Sequence, residues 1–192
     1  MMIKSVFGLF AAVVSLIAGS RVTAAEVSYV AAAGVATISI TGEIAAGDSD
    51  ALKSAIATAT EDGYSVSEIR LNSIGGNVVE GVKIVRFVNS ANLNTHVALG
   101  ATCASVCFLA FAAGAEKSVD IPSRIGVHVA SGELGEESPA SIAATRAMAR
   151  IAQTLLVPKE IISKMVSTPA TGMFWLGQSD LTGMGVTIHD SR

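Results

Sequence analysis

The sequence predicts an α/β domain whose strands pair mostly in parallel, and three observations lead there. Short strand-like runs alternate with helix-like runs along the whole chain after its first residues. Glycine turns follow two of the strands directly, in "NSIGGN" and in "LGATCAS". The chain of 192 residues is 51% hydrophobic and 15% charged, which suits one domain with one sizeable core.

The first element is a leader. Lys4 precedes the apolar run "VFGLFAAVVSLIAG", and "SRVTAAEV" follows with small residues at Val22 and Ala24, or at Thr23 and Ala25. The run from Val6 to Gly19 is short of the roughly 20 residues that a membrane span needs. Residues 1–25 are therefore expected to be a signal peptide and residues 26–192 a single domain, periplasmic or secreted, or membrane-anchored if the leader stays. Removing the leader takes away Lys4 and Arg21, so the formal net charge of −3 becomes more negative by those two cations. No Lys/Arg cluster remains, which argues against nucleic acid as a partner.

After the leader, "VATISITGEI" sets Val35, Thr37 and Ser39 against Ala36, Ile38 and Ile40, a strand ending at Gly42. "DSDALKSAIATATEDG" reads as a helix capped by Asp48 or Ser49 and stopped by Gly63. "VSEIRLNS" reads as a buried strand, "IGGN" as a turn, and "VVEGVKIVRFVNSA" as a helix with Val78, Val82, Val85 and Val88 or Phe87 on one side. "THVALG" is another strand, "ASVCFLAFAAGA" another helix, and "KSVDIPSRIGVHVA" one or two strands broken at Pro122. "SGELGEESPAS" is an acidic, exposed loop leading into a helix from about Pro139 to Val157, and Pro158 opens a further helix. The tail should hold a strand, a short helix begun by Ser179 or Asp180, and a last strand.

In a parallel sheet both glycine turns would open at the carboxyl edge, where ligands usually bind. Glycines there permit positive φ and close approach, as inward-pointing amide donors require, although a Gly-Gly turn is more often purely structural. Ser105 would lie in the first turn of its helix, where free N–H groups favour developing negative charge; a serine among alanines can equally be a small packing residue. His128 shares a small-residue strand face with Gly126 and Ala130, leaving room for a base role if a serine comes near. Export would place Cys103 and Cys107, the only two cysteines, in an oxidising compartment. Four apart on a helix they would share a face and could form a disulfide given favourable backbone geometry, or remain buried thiols. No third cysteine or histidine pair points to a metal.

Three ordered stretches, "LNSIGGN", "ASVCFLAFAAG" and "IPSRIGVH", together resemble the Clp protease proteolytic subunit, within the ClpP/crotonase superfamily. The matching family patterns are "INSPGG", a serine helix closing on "A-G", and "P-x-S-R-x-x-x-H". The resemblance runs from about Val35 to Ile188 and implies a spiral of repeated ββα units with mostly parallel sheets. It implies Ser105 as nucleophile, His128 as general base, and the N–H groups of Gly76 and Val106 as oxyanion hole. Two departures stand out: Ile74 replaces the family's proline, and the family's aspartate falls on or beside Met173, where only Thr171 is polar. The third triad member is thus unassigned, and in a well-studied triad loss of the aspartate costs about 10⁴-fold in turnover. A Ser–Lys arrangement using Lys159 or Lys164 is the alternative, with His128 in register favouring Ser–His.

The implied activity is exported peptide-bond hydrolysis without a cofactor, on peptides or unfolded segments. A catalytically weak or inactive binding module on the same fold is the competing expectation, and a crotonase-type acyl-thioester enzyme fits export poorly. A homo-oligomer could form through the alanine-rich face of "PASIAATRAMARIAQTLL", which serves equally well as an ordinary cover helix. An ATP-driven unfoldase is not expected outside the cell.

Overall fold

The computed structural model describes residues 24–132 and 135–190. Of the expected leader only Ala24 and Ala25 fall within them. In chain order the elements are β1 (Glu26–Ala32), β2 (Val35–Thr41), α1 (Asp48–Glu61), β3 (Ser65–Asn72), α2 (Val78–Ser90), β4 (Asn94–Val97), β5 (Thr102–Ala104) and α3 (Val106–Ala112). There follow β6 (Lys117–Ile121), β7 (Arg124–Val127), α4 (Pro139–Thr154), α5 (Lys159–Ser167), β8 (Phe174–Trp175), α6 (Gln178–Gly183) and β9 (Thr187–Asp190).

A six-stranded sheet runs β1-β2-β3-β4-β6-β9 and a three-stranded sheet runs β5-β7-β8. Pairing is parallel except for β1 with β2 and β7 with β8. The hairpin β1–β2 turns through Ala33 (φ 50°) and Gly34 (φ 82°), two successive left-handed residues of the kind that match strand twist. The alternation read in β2 holds: Ala36, Ile38 and Ile40 are buried. Helix α3 is buried along its whole length, which explains a segment apolar on every side.

The local differences from the sequence expectations have physical causes. Helix α1 is preceded by Gly47 rather than capped by Asp48 or Ser49, and the Asp48 carboxylate turns back to accept the Ala45 N–H at 2.7 Å. Strand β3 is half-buried rather than buried: Ile69 and Leu71 point inward while Arg70 and Asn72 are exposed. In α2 the buried face is Glu80, Gly81, Ile84, Val85 and Val88, rotated from the valine line read in the sequence. The carboxylate of Glu80 is tolerated inside because Lys83 Nζ (2.9 Å) and the Ser49 N–H (2.8 Å) donate to it. The Lys83 ammonium and then the Ser49 donor outweigh burial and hold the Glu80 carboxyl at about 2.

The largest local correction lies ahead of α3. Thr102–Ala104 is a strand, not the start of a helix, so the helix begins only at Val106. Cys103 and Cys107 are joined in a disulfide that spans a strand–turn–helix junction rather than one helix face. At the end of the chain α6 begins at Gln178, one residue before the expected Ser179.

Candidate active site

The junction between β5 and α3 is a single residue, Ser105, with φ 57° and ψ −126°. A non-glycine residue at such a φ is uncommon, costs on the order of 1–3 kcal/mol, and persists where the surroundings dictate it. Here they do: Ser105 N–H donates to the Gly126 carbonyl (3.0 Å), Ala104 N–H donates to the Ser73 carbonyl (2.9 Å), and the disulfide brackets the turn. Ser105 therefore stands just before the helix rather than within its first turn.

The "IGGN" turn packs directly against it. A Cβ at Gly75 would lie 2.6 Å from Ser105 Cβ, and one at Gly76 would lie 2.3 Å from the Ile44 carbonyl oxygen. Both glycines also adopt positive φ, at 99° and 136°. Neither position tolerates a side chain: Gly75 is required by the approach to the serine and Gly76 by the approach to the Glu43–Ile44 segment. Ile44 N–H donates to the Gly75 carbonyl (2.7 Å) and Asn77 N–H donates to the Ile44 carbonyl (2.8 Å). Among the described residues no hydrogen bond uses the N–H of Gly76 or of Val106. Two amide donors beside a strained serine can accept a developing oxyanion.

Ser105, Gly76 and His128 line one cavity of about 610 Å³, together with Glu43, Ile74, Asn77, Val78 and Val79 on one side and Ser131, Ser138, Ser141 and Ala144 on another. His128 follows β7 by one residue, so strand pairing with β5 and β8 sets its position. Its Nδ1 is buried and has no hydrogen-bond partner among the described residues. Burial lowers the pKa of the ring below its ordinary value, and the Ala170 carbonyl opposes that shift without closing a hydrogen bond of good geometry to Nδ1. No hydrogen bond joins Ser105 Oγ to the His128 ring among the described residues, and no carboxylate pairs with that ring.

The alternative lysines lie elsewhere. Lys164 Nζ bonds Asp180 Oδ1 at 2.6 Å and sits 4.6 Å from the Phe174 ring centroid. Burial pushes the Asp180 carboxyl up, but Lys164 and the Gly177 N–H outweigh it and hold the carboxyl below its ordinary value. Neither Lys159 nor Lys164 lines the cavity. Met173 packs near Gly126 rather than offering a polar group. Among the described residues no group of three or more His, Cys, Asp or Glu could hold a metal.

Two groups at the site escaped sequence reasoning. Glu43, the only carboxylate in the cavity lining among the described residues, follows Gly42 at the carboxyl end of β2; the rule that ligands gather at carboxyl ends of parallel strands could have pointed to it. The Ala170 carbonyl acts through the backbone and leaves no signal in residue type.

No protein-family model and no curated protein matches the chain. Among solved structures it is similar to ClpP1 from Listeria monocytogenes, at 21% identity over 81% of this chain and 92% of that one, with a TM-score of 0.61. It is also similar to the ClpP protease catalytic domain from Plasmodium falciparum, at 17% identity over 80% of this chain and 85% of that one, with a TM-score of 0.60. A mutant of the 1510-N membrane-bound stomatin-specific protease matches at 17% identity over 80% of this chain and 77% of that one, with a TM-score of 0.60. These likenesses establish the fold: the chain has a ClpP-like architecture.

Proposed function

We propose that this chain, built on the ClpP-type fold, is an exported serine peptidase that cleaves peptides or unfolded protein segments. The observation that carries the reading is the convergence of Ser105, held at positive φ, with His128 and the unengaged Gly76 N–H on one cavity. Ser105 Oγ attacks the scissile carbonyl carbon while His128 takes its proton. The resulting oxyanion is received by the N–H groups of Gly76 and Val106. Collapse expels the amine, protonated by His128, and water then hydrolyses the acyl-enzyme by the same route in reverse order.

With no carboxylate paired to its ring among the described residues, His128 works as one half of a dyad. The Ala170 carbonyl favours a proton on the ring, and burial keeps the resting ring neutral and able to act as a base. The exposed side chains of Ile74 and Val79 at the cavity suit an extended apolar peptide segment. Export rests on the leader pattern in residues 1–25. Among the described residues no helix is long and apolar enough to cross a membrane. Self-association is proposed through α4, where Ile142 and Ala140 are exposed. An exported chain would meet no ATP supply, so substrates would arrive already unfolded or short.

The test is cleavage of a fluorogenic peptide library and of an unfolded protein by the purified mature chain. Cleavage that disappears in Ser105→Ala supports the reading, and equal cleavage by that variant sinks it. A second reading, a binding module that has lost turnover, is favoured by the unpartnered Nδ1 of His128 and the absence of a Ser105–His128 hydrogen bond. It predicts peptide binding with no Ser105-dependent cleavage at any pH.

A further inference from the structure

Asp48 opens α1 and is 3% exposed, yet its carboxylate has no Lys, Arg or His partner among the described residues. Its Oδ2 accepts two amide N–H groups, from Ala45 at 2.7 Å and from Ala25 at 3.2 Å. A charge removed from water with only neutral donors keeps much of its desolvation cost, and the positive end of α1 offsets part of it. The cation that would complete this site is one covalent step away. Were Ala25 the first residue, the nitrogen already facing Asp48 would be an ammonium.

The sequence supplies the cleavage pattern for that step. Val22 and Ala24 are the small residues three and one before the Ala24–Ala25 bond. The other candidate bond, Ala25–Glu26, would remove the nitrogen that Asp48 holds. Ala25 is buried, and Glu26 next to it pairs with Thr41 at the start of β1, so this nitrogen keeps a defined position once Ala24 is gone.

We infer that the leader is cut between Ala24 and Ala25 and that the new Ala25 ammonium pairs with Asp48. In the cut, water adds its hydroxyl to the Ala24 carbonyl carbon, the amide C–N bond breaks, and the Ala25 nitrogen leaves with the protons that make it an ammonium. A leader peptidase of the exporting cell performs the hydrolysis. The pair also reaches the candidate oxyanion hole. Asp48 holds Ala45, and the preceding Ile44 bonds Gly75 and Asn77 on either side of Gly76. Processing thereby firms the Ile44–Ala45 segment against which the Gly76 turn is held; this last link rests on the serine peptidase reading, whereas the cut and the ion pair do not.

The experiment expresses the full chain with its leader in an exporting host and determines the amino terminus and intact mass of the exported protein. A chain beginning at Ala25 is expected; one beginning at Glu26, or left uncut, overturns the inference. Unfolding equilibria are then measured for chains beginning at Ala25 and at Ala24, each with and without Asp48→Asn. The Ala25 start should raise the folding equilibrium constant roughly tenfold or more, and Asp48→Asn should erase the difference. Equal stability of the two starts with Asp48 intact overturns the ion pair even if Asp48→Asn fails to fold. A fluorophosphonate labels Ser105 faster in the Ala25 chain if the link to Gly76 holds, and equal rates overturn that link. No labelling in either chain would defeat the peptidase reading and leave the ion pair to the unfolding data.

Discussion

Two serine–histidine constellations occupy this molecule, and they differ in nearly every respect that matters. On adjacent parallel strands, His96 Nδ1 meets Ser118 Oγ at 2.8 Å and His96 Nε2 meets Asp120 Oδ2 at 3.2 Å. Connectivity alone would choose this as a Ser–His–Asp site. Among the described residues His128 has no such bonds: its Nδ1 is unpartnered and no hydrogen bond ties it to Ser105. Yet Ser105 sits at φ 57° on a cavity beside an unengaged amide donor, whereas Ser118 is an ordinary mid-strand residue outside that cavity. A satisfied network rigidifies the sheet, and an unsatisfied one, held in place by backbone strain, is poised for a partner that arrives from outside.

The sharpest way to break this comparison is to remove each serine and each histidine in turn. Ser105→Ala and His128→Ala should each lower kcat/KM by at least about 10³-fold. Ser118→Ala and His96→Ala should leave it unchanged, and His96→Ala should cost about 1 kcal/mol of stability in denaturant unfolding. A large activity loss at Ser118 with none at Ser105 would exchange the roles of the two sites.

Next in size is Gly75→Ala. Its Cβ would meet Ser105 Cβ at 2.6 Å on a backbone of φ 99°, so the turn must move. We expect roughly 10²-fold lower kcat/KM, together with about 2 kcal/mol of lost stability. Reduction of the Cys103–Cys107 disulfide should act on the same turn. It should destabilise the chain by about 2 kcal/mol and slow cleavage, while leaving the His96 ring resonances in place.

The smallest effect is a pH signature. Burial places the His128 pKa below 6.5, so the neutral base survives to lower pH than a free histidine would. The acid limb of kcat/KM should inflect below 6.5, with activity lost as pH falls through it. A lowered folded pKa also means that the contribution of His128 to stability is present above 6.5 and declines below it. An inflection at or above 6.5 that vanishes in His128→Ala would contradict the burial argument.

The contrast also explains what could be read in advance. Strand and helix alternation was legible because β2 repeats with period two and the "VVEGVKIVRFVNS" helix keeps Val85 and Val88 of its valine line on the buried face. Strand β1 was not read, since its inward residues Val27, Tyr29 and Ala31 are only partly buried and make a weak pattern. Strand β5 was hidden because Thr102–Ala104 shares its apolar composition with the helix that follows. Ser105 and His128 stand out as candidates by side-chain type, whereas Gly76 and Val106 enter only through the resemblance of "LNSIGGN" and "ASVCFLAFAAG" to the family motifs. The strain at Ser105 and the field of the Ala170 carbonyl are backbone properties, and the Asp48–Ala25 contact joins residues far apart in sequence.

The most direct test is to treat the mature chain with a fluorophosphonate and locate the adduct by peptide mass spectrometry. One adduct on Ser105, absent in Ser105→Ala, strongly slowed in His128→Ala and undiminished in Ser118→Ala, is the predicted result. An adduct on Ser118, or none on Ser105 at any pH, would contradict the account.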